Sequence, residues 1–198
     1  MEDIEIWIVL GMILALMVIF ANQNIKKFEK RLLSSLRQDL DISFRKTSYF
    51  WQRVSLQGKI EGLSVKIFFV NRPEVKRDEI AIRINLDRRI WDLRLYRAAM
   101  ISIERSNIKT DDKLVDKHYL IKSRNAKIAR NFVQNPVIVK ALHEFAPNFR
   151  LGDEIVFKRQ QIYFYTSGTN MTSQKKQRFL NAVTMMVFLA KQLNQSEY

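Results

Sequence analysis

From Ile6 to Ala21 the chain reads IWIVLGMILALMVIFA, sixteen residues without a charge, and no other stretch narrows the choice of fold so much. At about 1.5 Å per residue the run gives roughly 24 Å of helix, a little less than a hydrocarbon core of about 30 Å. Ile4 and the uncharged Asn22, Gln23 and Asn24 complete the crossing, and mild bilayer thinning or snorkelling by Lys26 and Lys27 covers the deficit. Trp7 sits where an interfacial aromatic belongs. A cleaved signal peptide wants a positive start, a shorter apolar core and small residues before the cut. Here Glu2, Asp3 and Glu5 open the chain, and Ile19 stands two before Ala21. A buried core helix would show a polar stripe, which this run lacks. The expectation is an uncleaved transmembrane anchor over residues 1–23, with Gly11 and Ala15 spaced as a small-xxx-small face for a neighbouring helix.

Positive residues flanking a span stay in the cytoplasm. Residues 1–21 hold three acids and no Lys or Arg, whereas Lys26, Lys27, Lys30, Arg31 and Arg37 follow closely. The expected arrangement is a single-pass protein of the inner (plasma) membrane, N-terminus outside and C-terminal domain cytoplasmic, with Trp7, Lys26, Lys27, Lys30 and Arg31 at the interface. Asn170-Met171-Thr172 and Asn194-Gln195-Ser196 fit the glycosylation pattern but would never meet the transferase there, so both are chance matches.

About 175 residues remain, enough for one domain with a real core. Zero Cys removes disulfides, thiolate catalysis and Cys-based zinc sites together. The formal charge is +14, and since the first 21 residues contribute −3, residues 22–198 carry +17. So basic a body calls for an anionic neighbour: lipid headgroups beneath the bilayer, nucleic acid or an acidic protein.

Residues 24–46 are expected to form an amphipathic basic connecting helix. Asn24 is a potential cap, and Ile25, Phe28, Leu32, Leu33, Leu36 and Leu40 recur at helical spacing among the bases. Such a helix can lie along headgroups, pair with a partner or pack on its own domain. From Tyr49 the period changes to two. Val54 and Leu56 lead to a turn punctuated by Gly58 and Gly62, and Leu63–Val70 reads as strand. Ile80, Ile82, Ile84 and Leu86 alternate with small or polar residues; Asp87-Arg88-Arg89 is expected to turn the chain, and Trp91, Leu93 and Leu95 to return it. Ala98–Glu104 favours another strand, Ser106–Lys117 is polar, and His118–Lys122 is a short strand. Ser123 or Asn125 caps a helix, Pro136 begins or bounds the next, and Ile155–Phe157 and Ile162–Tyr165 flank Arg159-Gln160 as a hairpin. A loop over residues 167–170 precedes a last helix capped by Ser173 and striped by Phe179, Val183, Met186, Leu189 and Leu193. The fold class is α+β: one N-terminal transmembrane helix, then, over residues 47–198, a mostly antiparallel sheet with helices packed on one face and a C-terminal helix.

Chemistry-bearing clusters are few. Asp111, Asp112 and Asp116 make the sole acidic cluster, without calcium-loop spacing or a phosphate cradle. His118 and His143 are the only histidines, and no G-x-S-x-G elbow exists. No enzyme and no cofactor or metal is expected. The basic residues offer more. Arg45, Lys46 and Arg53 interleave with Phe44, Tyr49, Phe50 and Trp51, and Arg88, Arg89, Arg94 and Arg97 form a second cluster; together they are the candidate anion or partner patch.

Ile108, Thr110, Asp111, Asp112, Val115, Asp116, Tyr119, Ile121 and Ser123, followed by a helix to Phe145, make a pattern that resembles a loosely defined set of uncharacterised bacterial membrane-anchored proteins. Gly58, Gly62 and Val65 in GKIEGLSV resemble that family's opening strand pair. Asp111 stands where Gly is usual and Val115 where Phe is usual. The resemblance implies a fold and an anchored topology, and transfers no functional residue.

The expected function is a non-catalytic, membrane-anchored accessory or scaffold subunit. Its basic cytoplasmic domain would bind a larger membrane protein complex or an anionic lipid surface. A membrane tether for nucleic acid or ribosome is the second reading, and a metal-dependent hydrolase using the aspartate loop the third.

Overall fold

The computed structural model describes residues 2–40, 44–45, 55–72, 77–97, 108–167 and 172–195; within them it gives only the backbone for 44–45, 77–78 and, on the first helix, for 2–11, 15–16, 18, 21–22, 24–26 and 28. The expected strand over 98–104 and most of the loop at 167–170 lie outside the described residues.

Helix α1, Glu2–Leu40, is 39 residues without a break and contains the whole apolar run. Among the described residues no helix is long and apolar enough to cross a membrane; most side chains of the expected span are outside them. Those that are described stand exposed, including Met12 at 55%, Met17 at 64% and Phe20 at 66%. Further along, Leu32, Leu33 and Leu36 are buried in the domain core. The basic amphipathic stretch therefore packs on its own domain. It ends at Leu40, and Phe44–Arg45 is already a strand, β1.

The sheet is antiparallel throughout and has six strands: β1, β2 (Ser55–Ile60), β3 (Leu63–Arg72), β4 (Arg77–Arg97), β5 (Tyr119–Ser123) and β6 (Glu154–Ser167). Gly58 pairs with Val65 inside the β2–β3 hairpin instead of turning it. The turn is Glu61-Gly62, at φ 50° and 85°. Two consecutive left-handed residues match the strand twist, and Gly at the second adopts that conformation without steric cost.

Two expected turns are absent for a single reason. Asp87-Arg88-Arg89 lies inside β4, which runs 21 residues, and Arg159-Gln160 lies inside β6, which runs 14. The strands pair along their whole length, and the two polar interruptions face each other. Register passes from Asn85↔Gln161 to Ile90↔Arg159, so four residues of β4 oppose one of β6. Arg159 takes φ 58° at this bulge. Polar triplets in a period-two pattern usually mark turns; here they mark the bulge at which two long strands bend. Before it β4 is flanked by β3, and after it by β5, with β6 on the other side throughout.

Helices α2 (Lys113–His118), α3 (Ala126–Val133), α4 (Pro136–Phe145) and α5 (Ser173–Gln195) complete the chain, with a 3₁₀ turn at Ala146–Asn148. Asn125 caps α3 by accepting from the Ile128 N–H, and Asn135 caps α4, where Pro136 holds the first position. Thr172, one residue before the expected Ser173, caps α5 by accepting from the Lys175 N–H at 3.3 Å. One side of the sheet and the helices share a single core. Phe132 of α3 sits edge-on between Trp91 and Phe157 at 5.9 and 5.7 Å, and Phe145 of α4 meets Phe164 at 6.2 Å. Tyr119 stacks on Phe149 at 4.8 Å and donates to the Leu142 carbonyl. Of the period-two positions facing this core, Val65, Ile67, Ile80, Ile82, Ile84, Ile162 and Phe164 are at most 1% exposed.

Candidate functional site

Alternation along a strand places the intervening residues on the opposite face. No described helix packs there. Register aligns Lys66, Arg83 and Tyr163 across β3, β4 and β6, and beside that row Phe68, Ala81 and Tyr165. The phenol rings of Tyr163 and Tyr165 stack at 5.7 Å and 3°. Lys66 lies over Phe68 at 5.6 Å, and Arg72 over Tyr165 at 4.1 Å. The face is thus a basic and aromatic surface, and it encloses a hollow of about 400 Å³ lined by Phe68, Arg83, Arg94, Lys158, Tyr163 and Tyr165, with Arg72 and Val156 completing the wall.

Its acids are consumed from within. Arg72 donates through Nε to Glu79 at 2.5 Å and through Nη1 to Glu154 at 2.5 Å, and both carboxylates are nearly inaccessible to solvent. Burial opposes the charge on Arg72, yet the hydrogen bonds to Glu79 and Glu154 overcome it and hold its pKa above the ordinary value. Arg94, with its side chain 52% exposed, approaches Glu154 at 3.6 Å. Neither Arg83 nor Lys158 has an acidic partner among the described residues, and the buried Nε of Arg83 lacks any hydrogen bond there. Burial, then the neighbouring Tyr163, pushes the Tyr165 phenol up to about 12, so its hydroxyl stays a donor at neutral pH.

Other concavities lie among the described residues. One, of about 310 Å³, adjoins the hollow across Arg94 and is lined by Asp92, Tyr96, Lys122 and Arg124. Another, of about 560 Å³, runs between α4 and α5 and includes Val137, Phe145, Met185 and Phe188.

The aspartate loop is built as a helix start. Asp112 caps α2 by accepting from the Val115 N–H at 2.8 Å, and Asp116 accepts from both the N–H and the hydroxyl of Thr110 at 2.9 Å. Asp111, at φ 65°, accepts from Gln134 at 2.8 Å. Among the described residues no group of three His, Asp or Glu side chains could hold a metal.

The sequence-derived candidates scatter. Trp7, Gly11, Ala15 and Lys26 are on α1 with side chains outside the described residues, while Lys27, Lys30 and Arg31 are exposed on it. Arg45 pairs with Ser55 through its backbone in β1, and Lys46 and Arg53 lie outside the described residues. Arg88 and Arg89 sit in the β4 bulge. Arg94 enters the open-face hollow, but Arg97, three residues on, falls on the other register and contacts His118 Nδ1. The four arginines expected on one hairpin therefore do not make one patch. Sequence reading missed Arg72, Arg83, Lys158, Tyr163 and Tyr165. Their signal was the polar half of each period-two strand, which becomes a site only once strand pairing is known.

No protein-family model and no curated protein matches the sequence. Among solved structures, the chain is similar to the mycobacterial trehalose monomycolate transport factor A, TtfA, with a TM-score of 0.53 and 12% identity over 83% of this chain and 91% of that one. At that identity the likeness is one of fold.

Proposed function

We propose that the protein is a non-catalytic accessory factor held on the inner membrane by α1, N-terminus outside, whose basic cytoplasmic domain docks on a larger membrane protein complex. One observation carries the reading: α1 continues unbroken from an apolar part on which Met12, Ile13, Leu14, Met17, Ile19 and Phe20 stand exposed to the turns buried in the domain through Leu32, Leu33 and Leu36. An exposed apolar surface of that extent is costly in water and favourable in lipid, and the helix that carries it is a structural element of the domain. Tethering raises the domain's effective concentration near other membrane components. The shared fold with a transport factor favours a transport assembly as the partner.

The test is a mild-detergent extraction followed by affinity capture of the full chain, with protease accessibility on intact cells alongside. The expected result is a membrane protein retained through a high-salt wash and a domain spared by external protease. Digestion of the domain from outside would reverse the topology, and recovery only of nucleic acid lost on salt addition would replace the function.

A further inference from the structure

We propose that the hollow on the open face of the sheet is a binding site for a phosphate ester, held by Arg83, Arg94 and Lys158 and seated on the Tyr163–Tyr165 stack.

The hollow combines three features that a solvated basic surface lacks. First, its positive charge is only partly compensated. Glu79 and Glu154 are buried and bound to Arg72, and Glu154 also lies 3.6 Å from Arg94, which leaves Arg83 and Lys158 without an acid among the described residues. Second, Arg83 has a buried Nε with no acceptor there, although buried donors are ordinarily satisfied. An oxyanion in the hollow supplies that acceptor, and a guanidinium beside an ammonium suits the tetrahedral oxygens of phosphate. Third, the cations surround an organised floor. The Tyr163 and Tyr165 rings are parallel within 3° and stacked at 5.7 Å, Phe68 adds an apolar wall, and Tyr165 Oη makes no hydrogen bond among the described residues. That floor accommodates the sugar or glycerol part of an ester, whereas Arg72, pinned by its two carboxylates and lying on the Tyr165 ring, keeps the platform in place.

The chemistry is shared by a soluble phosphate ester and by a phospholipid headgroup. The assignment rests on reading the open face as the working surface of a tethered protein, and the experiment separates the two. The full chain is reconstituted in nanodiscs of phosphatidylcholine, with incorporation verified by size exclusion, and titrated with inorganic phosphate, with glycerol phosphate, and with phosphatidylglycerol vesicles. Binding is followed by calorimetry and flotation. Saturable binding of glycerol phosphate identifies a soluble-ester site; binding of the vesicles alone identifies a lipid headgroup; either supports the proposal. Arg83→Gln and Lys158→Gln should each weaken binding about tenfold, while Lys113→Gln, on the distant α2, should not. Lys158 is exposed, so its variant keeps the result readable should Arg83→Gln misfold. Equal losses at all three positions, no binding in any arm, or tighter binding of a short single-stranded RNA than of the ester would overturn the site. Loss of the site with incorporation intact would leave the anchored accessory role standing, and failed incorporation with ester binding retained would do the reverse.

Discussion

Arg72 is the residue on which the open face depends most. It bridges Glu79 and Glu154, both nearly inaccessible, and its guanidinium lies 4.1 Å from the Tyr165 ring centroid. Removing one member of a buried ion network costs about 3 kcal/mol or more, because the remaining charges lose their shared counter-ion. Arg72→Met should therefore destabilise the domain by about that much in urea melts. At His118, burial first, then Arg97, Lys117 and His143, hold the pKa below the ordinary 6.5. The unfolded chain thus takes up the proton more readily, so the contribution is complete above about pH 6.5 and is lost as pH falls through the lowered value. His118→Gln should flatten the fall in Tm between about pH 7.5 and pH 5.5; an unchanged slope would assign that fall elsewhere.

Among the elements, the paired long strands β4 and β6 show what the bulge demands. Arg159 occupies the left-handed region at φ 58°, where a side chain costs about 1 kcal/mol and a β-branched one more. Arg159→Gly should be neutral or stabilising and Arg159→Val destabilising by about 1–2 kcal/mol, read by chemical denaturation. This same feature explains where sequence reasoning stopped. Alternation at Ile80–Leu86 and Ile162–Tyr165 identified strands and their buried face, because burial enforces period two. Asp87-Arg88-Arg89 and Arg159-Gln160 carried turn chemistry locally, and only their cross-strand pairing distinguishes a bulge from two turns. Helix α2 was hidden in a polar stretch because its formation rests on Asp112 as cap and on a single buried apolar residue, Val115, too little to show a periodicity. The open-face site was illegible for a related reason: Arg83, Lys158 and Tyr163 come from different strands or from across the bulge, and no local pattern joins them.

For the whole molecule, the fold divides labour between two faces of one sheet. One is sealed by α3, α4, α5 and the end of α1, and the other carries the basic and aromatic hollow, where Arg83 and Lys158 have no acidic partner among the described residues. Lys176 holds Asp39 at 2.7 Å, so the last turn of α1 is fastened to α5 as well as through its leucines. The uninterrupted course of α1 has a rotational consequence. A helix turns about 100° and advances about 1.5 Å for each residue, so α1, if it is the anchor proposed above, transmits azimuth from the bilayer to the sheet. Inserting one or two alanines after Asn24 should swing the open face away from its partner, and inserting four should bring it nearly back. Partner capture measured across such a series should oscillate with the helical repeat; a smooth decline with length would mean that the joint is slack. On the anchored role proposed above, the chain is less a domain on a string than a compass needle, whose bearing is set at the far end of α1.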